Sequence, residues 1–159
     1  MTQMMADEKQ LANWIGWAKS IELPFVDYHF KLNIVASGRS GLLVGFPLSY
    51  FYLCNLYILP GSDDFKISKL SANKLHIYGH KQKIFNTSKD IGDYIFIDDC
   101  VDSGTTLKNV ISSVRGKCRA VLCYAQGQVW EHTLDEIKSR IKKTCGKDTL
   151  IYLNDVDVL

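Results

Sequence analysis

Tyr94-Ile95-Phe96-Ile97-Asp98-Asp99-Cys100-Val101-Asp102-Ser103-Gly104-Thr105-Thr106 decides the fold of this chain. Four apolar residues run into two adjacent carboxylates, a short loop of hydroxyl and glycine residues follows, and Leu107 to Val114 then repeats apolar residues at helical spacing. The order reads as buried strand, loop and helix start. A parallel strand covered on both faces is a continuous apolar run, and ligands of such sheets sit at the carboxyl ends of the strands. Asp98 and Asp99 therefore arrive where a ligand would lie. The loop from Asp102 to Thr106 has the composition of an anion cradle. Gly104 permits backbone angles that other residues resist, and the hydroxyls of Ser103, Thr105 and Thr106 can donate to phosphate oxygens. The following helix adds unpaired amides and the positive end of its dipole. Asp98 and Asp99 repel phosphate, so they suit sugar hydroxyls or a divalent cation. Phosphate on the loop and ribose on the acids describes a phosphorylated pentose.

An earlier segment repeats the pattern. Leu32-Asn33-Ile34-Val35-Ala36 is β-prone, Ser37-Gly38-Arg39-Ser40-Gly41 is a glycine loop, and an apolar helix candidate runs from about Ser40 to Leu53. A buried strand is expected from Asn55 to Leu59, stopped by Pro60-Gly61. Arg119 to Tyr124 reads as the next buried strand, Thr133 to Lys143 as a helix, and Leu150 to Leu153 as a last strand. Asp7 to Ser20 forms an amphipathic helix with Leu11, Trp14, Ile15 and Ala18 on one face. This alternation predicts an α/β fold, a mainly parallel central sheet flanked by helices.

The segment from Tyr94 to Thr106 resembles the phosphoribosyl-diphosphate signature of the type I phosphoribosyltransferases, and the match covers the whole motif without a gap. The resemblance implies transfer of a 5-phosphoribosyl group from phosphoribosyl diphosphate to a nitrogenous base, with release of pyrophosphate. It implies that Asp98 and Asp99 contact the ribose directly or through Mg2+, and that Asp102, Ser103, Gly104, Thr105 and Thr106 surround the 5′-phosphate. Arg39, Ser40 and Gly41 resemble the family's pyrophosphate loop, which often carries an unusual peptide geometry. Asp102 matches an aspartate that lies near the purine imidazole nitrogen in members acting on 6-oxopurines, and this favours the short bacterial xanthine-guanine or hypoxanthine type. Asp98, Asp99 and Asp102 are thus the catalytic candidates. That branch carries a lysine just beyond the next strand, where this chain has Gln126, so Gln126 becomes the base-binding candidate. The tail from Leu150 to Leu159 does not reproduce the aromatic hood that the family stacks on a purine, although Trp130, Tyr152, Asp155 and Asp157 can supply part of a small one. The polar stretch from Gly61 to Gly92, with Lys66, Lys69, Lys74, Lys81, Lys83 and Lys89, corresponds to a mobile loop or hairpin over the reacting centre. The family commonly forms homodimers.

Composition bounds the alternatives. The chain has 159 residues, 47% of them hydrophobic, and no proline-rich or glycine-serine linker, so residues 1–159 are expected to form one domain. A net charge of +2 with scattered lysines gives no stripe for nucleic acid. Gly41 to Gly61 lacks charge, but Pro47, Asn55 and Pro60 interrupt it as a membrane span, and the amino terminus shows no secretory pattern. A cytoplasmic protein is expected. Five cysteines without close pairing suit a reducing compartment, and Cys100 reads as packing rather than as a nucleophile. His76 and His80 read as a surface pair on a loop or hairpin rather than as metal ligands. A receiver domain is excluded by order, since its acids follow the first strand. Two readings stay open: an active transferase, and a regulator that keeps the fold and senses nucleotide or phosphoribosyl diphosphate.

Overall fold

The computed structural model describes residues 8–25, 32–59, 67–71, 74–78, 90–126 and 132–155. Their order is α1 (Glu8–Ser20), β1 (Asn33–Ser37), α2 (Gly38–Tyr52), β2 (Asn55–Leu59), β3 (Ile67–Ser71), β4 (Lys74–Tyr78), β5 (Asp93–Asp98), α3 (Thr105–Ser113), β6 (Lys117–Cys123), α4 (Leu134–Cys145) and β7 (Leu150–Leu153). The strands form one seven-stranded sheet ordered β4-β3-β2-β1-β5-β6-β7. From β2 to β7 every neighbouring pair is parallel. The hairpin β3-β4 extends the β2 edge antiparallel, within the stretch where a loop or hairpin is expected.

Burial explains the strand sequences. β1 is buried at all five positions, and Tyr94 to Asp98 of β5 are buried too, as continuous apolar runs between two helical layers require. Successive side chains point to opposite faces. Ile34, Ala36, Ile95, Ile97 and Leu122 pack with Trp14, Ala18, Val44 and Leu48 of α1 and α2. Val35, Tyr94, Phe96 and Val121 pack with Leu107, Val110, Ile137 and Ile141 of α3 and α4.

From β1 the chain winds outward to β2 on one side, and later inserts β5 on the other. The carboxyl ends of β1 and β5 therefore flank the point where the winding reverses, which is where open α/β sheets form their ligand crevice.

The expected strands reappear within two residues at each end, and the last one unchanged. Two expectations are corrected. α2 begins at Gly38 rather than near Ser40, so Gly38-Arg39-Ser40-Gly41 is the first helical turn and not a free loop. The unusual peptide geometry is also missing: among the described residues there is no cis peptide bond, although Gly38 has a positive φ of 56°. Trp130, Asp157, His80 and Lys66, Lys81, Lys83 and Lys89 lie outside the described residues, so half of the hood residues and most of the expected mobile segment do as well, while Tyr152 lies on β7. His76 lies on β4. No helix among the described residues is long and apolar enough to cross a membrane.

Candidate active site

The two motifs meet at the reversal point. Gly41 fixes how closely: a Cβ built on it would lie 2.6 Å from the Ile97 carbonyl oxygen and 3.1 Å from the Ala36 carbonyl carbon. Only a residue without a side chain lets the start of α2 rest on the backbones of β1 and β5. The first turn of α2 is thereby seated beside Asp98 and Asp99. Tyr124, fully buried just past β6, joins the same two segments. Its Oη donates to the Ser40 carbonyl at 2.7 Å, and its backbone N–H donates to the Asp98 carbonyl at 3.2 Å. Trp14 packs against its ring with centroids 4.8 Å apart.

Both helices that start here lack a side-chain cap. Ser37 precedes α2 and Gly104, in the left-handed region with φ 83°, precedes α3, and neither supplies a capping bond. By contrast, Thr133 accepts the Glu136 amide at the start of α4. Uncapped amino ends keep donors available for an anion. At α3 the available side chains are hydroxyls: Ser103 Oγ and Thr105 Oγ1 are 3.0 Å apart, and Ser103 Oγ accepts the Thr105 amide at 3.4 Å. A cavity of about 200 Å3 opens at this point, lined by Phe96 and by residues 98–107.

The acids divide the work by burial. Asp98 is 9% exposed, and its Oδ1 accepts the Asp99 N–H at 2.8 Å. Burial, then the charge of Asp99 and a hydrogen bond between the two carboxyl groups, push its pKa up to about 9. Asp99 is half-buried and its Oδ1 accepts the Cys100 N–H at 2.7 Å. Among the described residues no group of three or more His, Cys, Asp and Glu is placed to hold a metal. Two adjacent carboxylates at a strand end fit a cation such as Mg2+, which commonly keeps waters and takes substrate oxygens beside one or two carboxylates. Cys100 is no nucleophile, because burial and the neighbouring acids push its thiol up to about 12.

Asp102 and Gln126 sit in contrasting surroundings. Asp102 lines the cavity with its side chain 61% exposed, its Oδ1 3.9 Å from His132 Nε2, while its carbonyl accepts a hydrogen bond from the Arg140 guanidinium. Gln126 is 2% exposed and committed elsewhere. Its Oε1 accepts the Val101 N–H and its Nε2 donates to the Val101 carbonyl, each at 3.1 Å. The amide serves as a substitute strand backbone that braces the acidic turn. Together with Tyr124 N–H on Asp98 and Ala125 N–H on Asp99, it carries the β6 ladder past the end of the strand. Sequence reasoning missed Tyr124 and Arg140, whose partners lie far off in sequence. The side chain of Arg39 lies outside the described part of the structure.

An adenine phosphoribosyltransferase from Thermoanaerobacter pseudethanolicus superposes with a TM-score of 0.51 over 94% of this chain and 81% of its own, at 16% identity. The fold is that of a phosphoribosyltransferase. An adenine phosphoribosyltransferase from Leishmania tarentolae gives a TM-score of 0.47 at 14% identity, over 96% of this chain and 77% of its own. A purine phosphoribosyltransferase from Pyrococcus horikoshii gives 0.39 at 17%, over 97% and 95%. No protein-family model and no curated protein matches the sequence.

Proposed function

We propose that the chain transfers the 5-phosphoribosyl group of phosphoribosyl diphosphate to a purine base, releasing pyrophosphate. The observation that carries this reading is the cavity at the carboxyl end of β5, lined almost wholly by the turn from Asp98 to Thr106 and bounded by an uncapped helix. The 5′-phosphate would take the hydroxyls of Ser103, Thr105 and Thr106 and the first amides of α3. Diphosphate would lie toward Arg39, Ser40 and Gly41 at the other uncapped start. Departure of the diphosphate leaves positive charge on the ribose, which Asp99, and Asp98 once a bound cation displaces its proton, would stabilise. Mg2+, when bound at these acids, supplies charge for the departing oxygens.

Asp102, exposed at the rim, is placed to manage a proton on the incoming base, and this supports a 6-oxopurine acceptor of the xanthine-guanine or hypoxanthine class. Residues 1–159 are read as one domain acting as a cytoplasmic homodimer.

The test is incubation with phosphoribosyl diphosphate, Mg2+ and a panel of hypoxanthine, guanine, xanthine and adenine, reading pyrophosphate release and nucleotide formation. Adenine belongs in the panel because the fold match is to an adenine enzyme. Asp99→Asn is expected to lower turnover by about a hundredfold, the scale on which removal of one charge-stabilising group is felt. Donor binding without turnover on any base would favour the sensor reading, and no donor binding would overturn both.

A further inference from the structure

We propose that the groove between α3 and α4, behind the phosphate loop, is a second anion site that takes a phosphorylated small molecule of nucleotide size. Its cavity of about 600 Å3 is lined chiefly by Ser103, Lys108, Ile111, Ser139, Arg140 and Lys143, and no carboxylate lines it. The volume falls in the range of small-molecule sites and is about three times that of the cleft at Asp98. Three cations facing one cavity repel one another, and a bound anion relieves all three.

Two neighbouring acids contact a histidine outside the lining of this groove. Glu136, one turn before Arg140, pairs with His132 Nδ1 at 3.4 Å, and the Asp102 carboxylate approaches His132 Nε2 at 3.9 Å. His132 thus lies against both of these carboxylates. Neither Lys108 nor Lys143 forms an ion pair among the described residues. The groove's neutral hydroxyls are partly spent, since Ser112 Oγ donates to the Lys108 carbonyl and Thr144 Oγ1 to the Arg140 carbonyl. Charged donors remain. Ile111 and the aliphatic stems of Lys108 and Arg140 add an apolar wall on which a nucleoside can rest.

Arg140 separates this groove from the cleft while touching both. Its guanidinium donates to the Asp102 carbonyl, and its Cδ lies 3.1 Å from where a Gly104 side chain would begin. The arginine is therefore held in place before any ligand arrives, and the ordering cost of binding falls mainly on the two lysines.

The test is an amide-resolved NMR titration of the full chain with inorganic triphosphate, ATP and adenosine. Triphosphate and ATP are expected to give saturable shifts at Lys108, Ser112, Arg140, Lys143 and Thr144, with ATP the tighter and adenosine inert. The double variant Lys108→Ala, Lys143→Ala changes two exposed side chains. It should weaken these shifts at least about tenfold, the equivalent of one lost charge-assisted contact, while shifts at Thr105 and Thr106 persist. Shifts confined to residues 103–106, unchanged affinity in the double variant, or equal binding of adenosine would overturn the proposal.

Discussion

Gly41→Ala tests whether the start of α2 is pressed onto the sheet. The added methyl would lie 2.6 Å from the Ile97 carbonyl oxygen, and ordinary contact begins near 3.4 Å, so about 0.8 Å of separation has to be found. The obstacle is backbone in the middle of the sheet, because β5 is bonded to β1 on one side and β6 on the other. Overpacking of this kind costs roughly 1–3 kcal/mol, and the better helix propensity of alanine returns at most about 1 kcal/mol. At the middle of that range the net cost is about 1–2 kcal/mol, so the melting temperature should fall by roughly 2–8 °C, at about 2–4 °C per kcal/mol for a chain of this size. Gly16→Ala is the matched control. Nothing lies within 4 Å of its would-be Cβ, so the same exchange in α1 should raise the melting temperature by a few degrees, worth about 0.5–1 kcal/mol. Differential scanning calorimetry of both variants decides the matter. A Gly41→Ala protein as stable as the parent, or two variants shifting the same way, would refute the reasoning.

Asp98 should give the protein a pH-dependent stability. With its folded pKa raised to about 9, the folded chain holds a proton that the unfolded chain releases. The group's contribution is thus complete below the ordinary carboxylate range and is lost as pH rises toward 9. Asp98→Asn removes that slope, so urea unfolding at pH 5 and pH 8 should show its advantage over the parent growing by roughly 1–4 kcal/mol; parallel curves would sink the assignment. Gln126→Leu strands the buried N–H and carbonyl of Val101 and should cost roughly 2–5 kcal/mol. Hydrogen exchange at the Val101 amide should accelerate before global unfolding, and unchanged protection there would show that the brace is not holding the turn.

Strands β1, β2, β5, β6 and β7 were legible because full burial on two faces leaves an uninterrupted apolar run, a signal contained within each segment. The acidic turn was legible for the same reason, its chemistry being packed into neighbouring residues. The start of α2 was not, since glycines at 38 and 41 and an uncapped serine carry the local mark of a loop. What requires a glycine at 41 is the backbone of Ile97, 56 residues away, and no local pattern records that contact. The bracing bonds of Gln126 were hidden for a related reason. Its partner Val101 lies 25 residues earlier and is met only when β5 and β6 pair. The cations of the α3-α4 groove are likewise scattered along the chain and converge only in the folded molecule.

Tyr124 sets a length. One end of this residue is bonded at Asp98 and the other at Ser40, and between them stand a planar ring and two torsions clamped by Trp14. Such a strut has almost no compliance, so the acidic turn and the opening turn of α2 keep a constant separation whether or not anything lies between them. A molecule bridging the two must match that gauge, and shorter or longer homologues meet one anchor at the expense of the other.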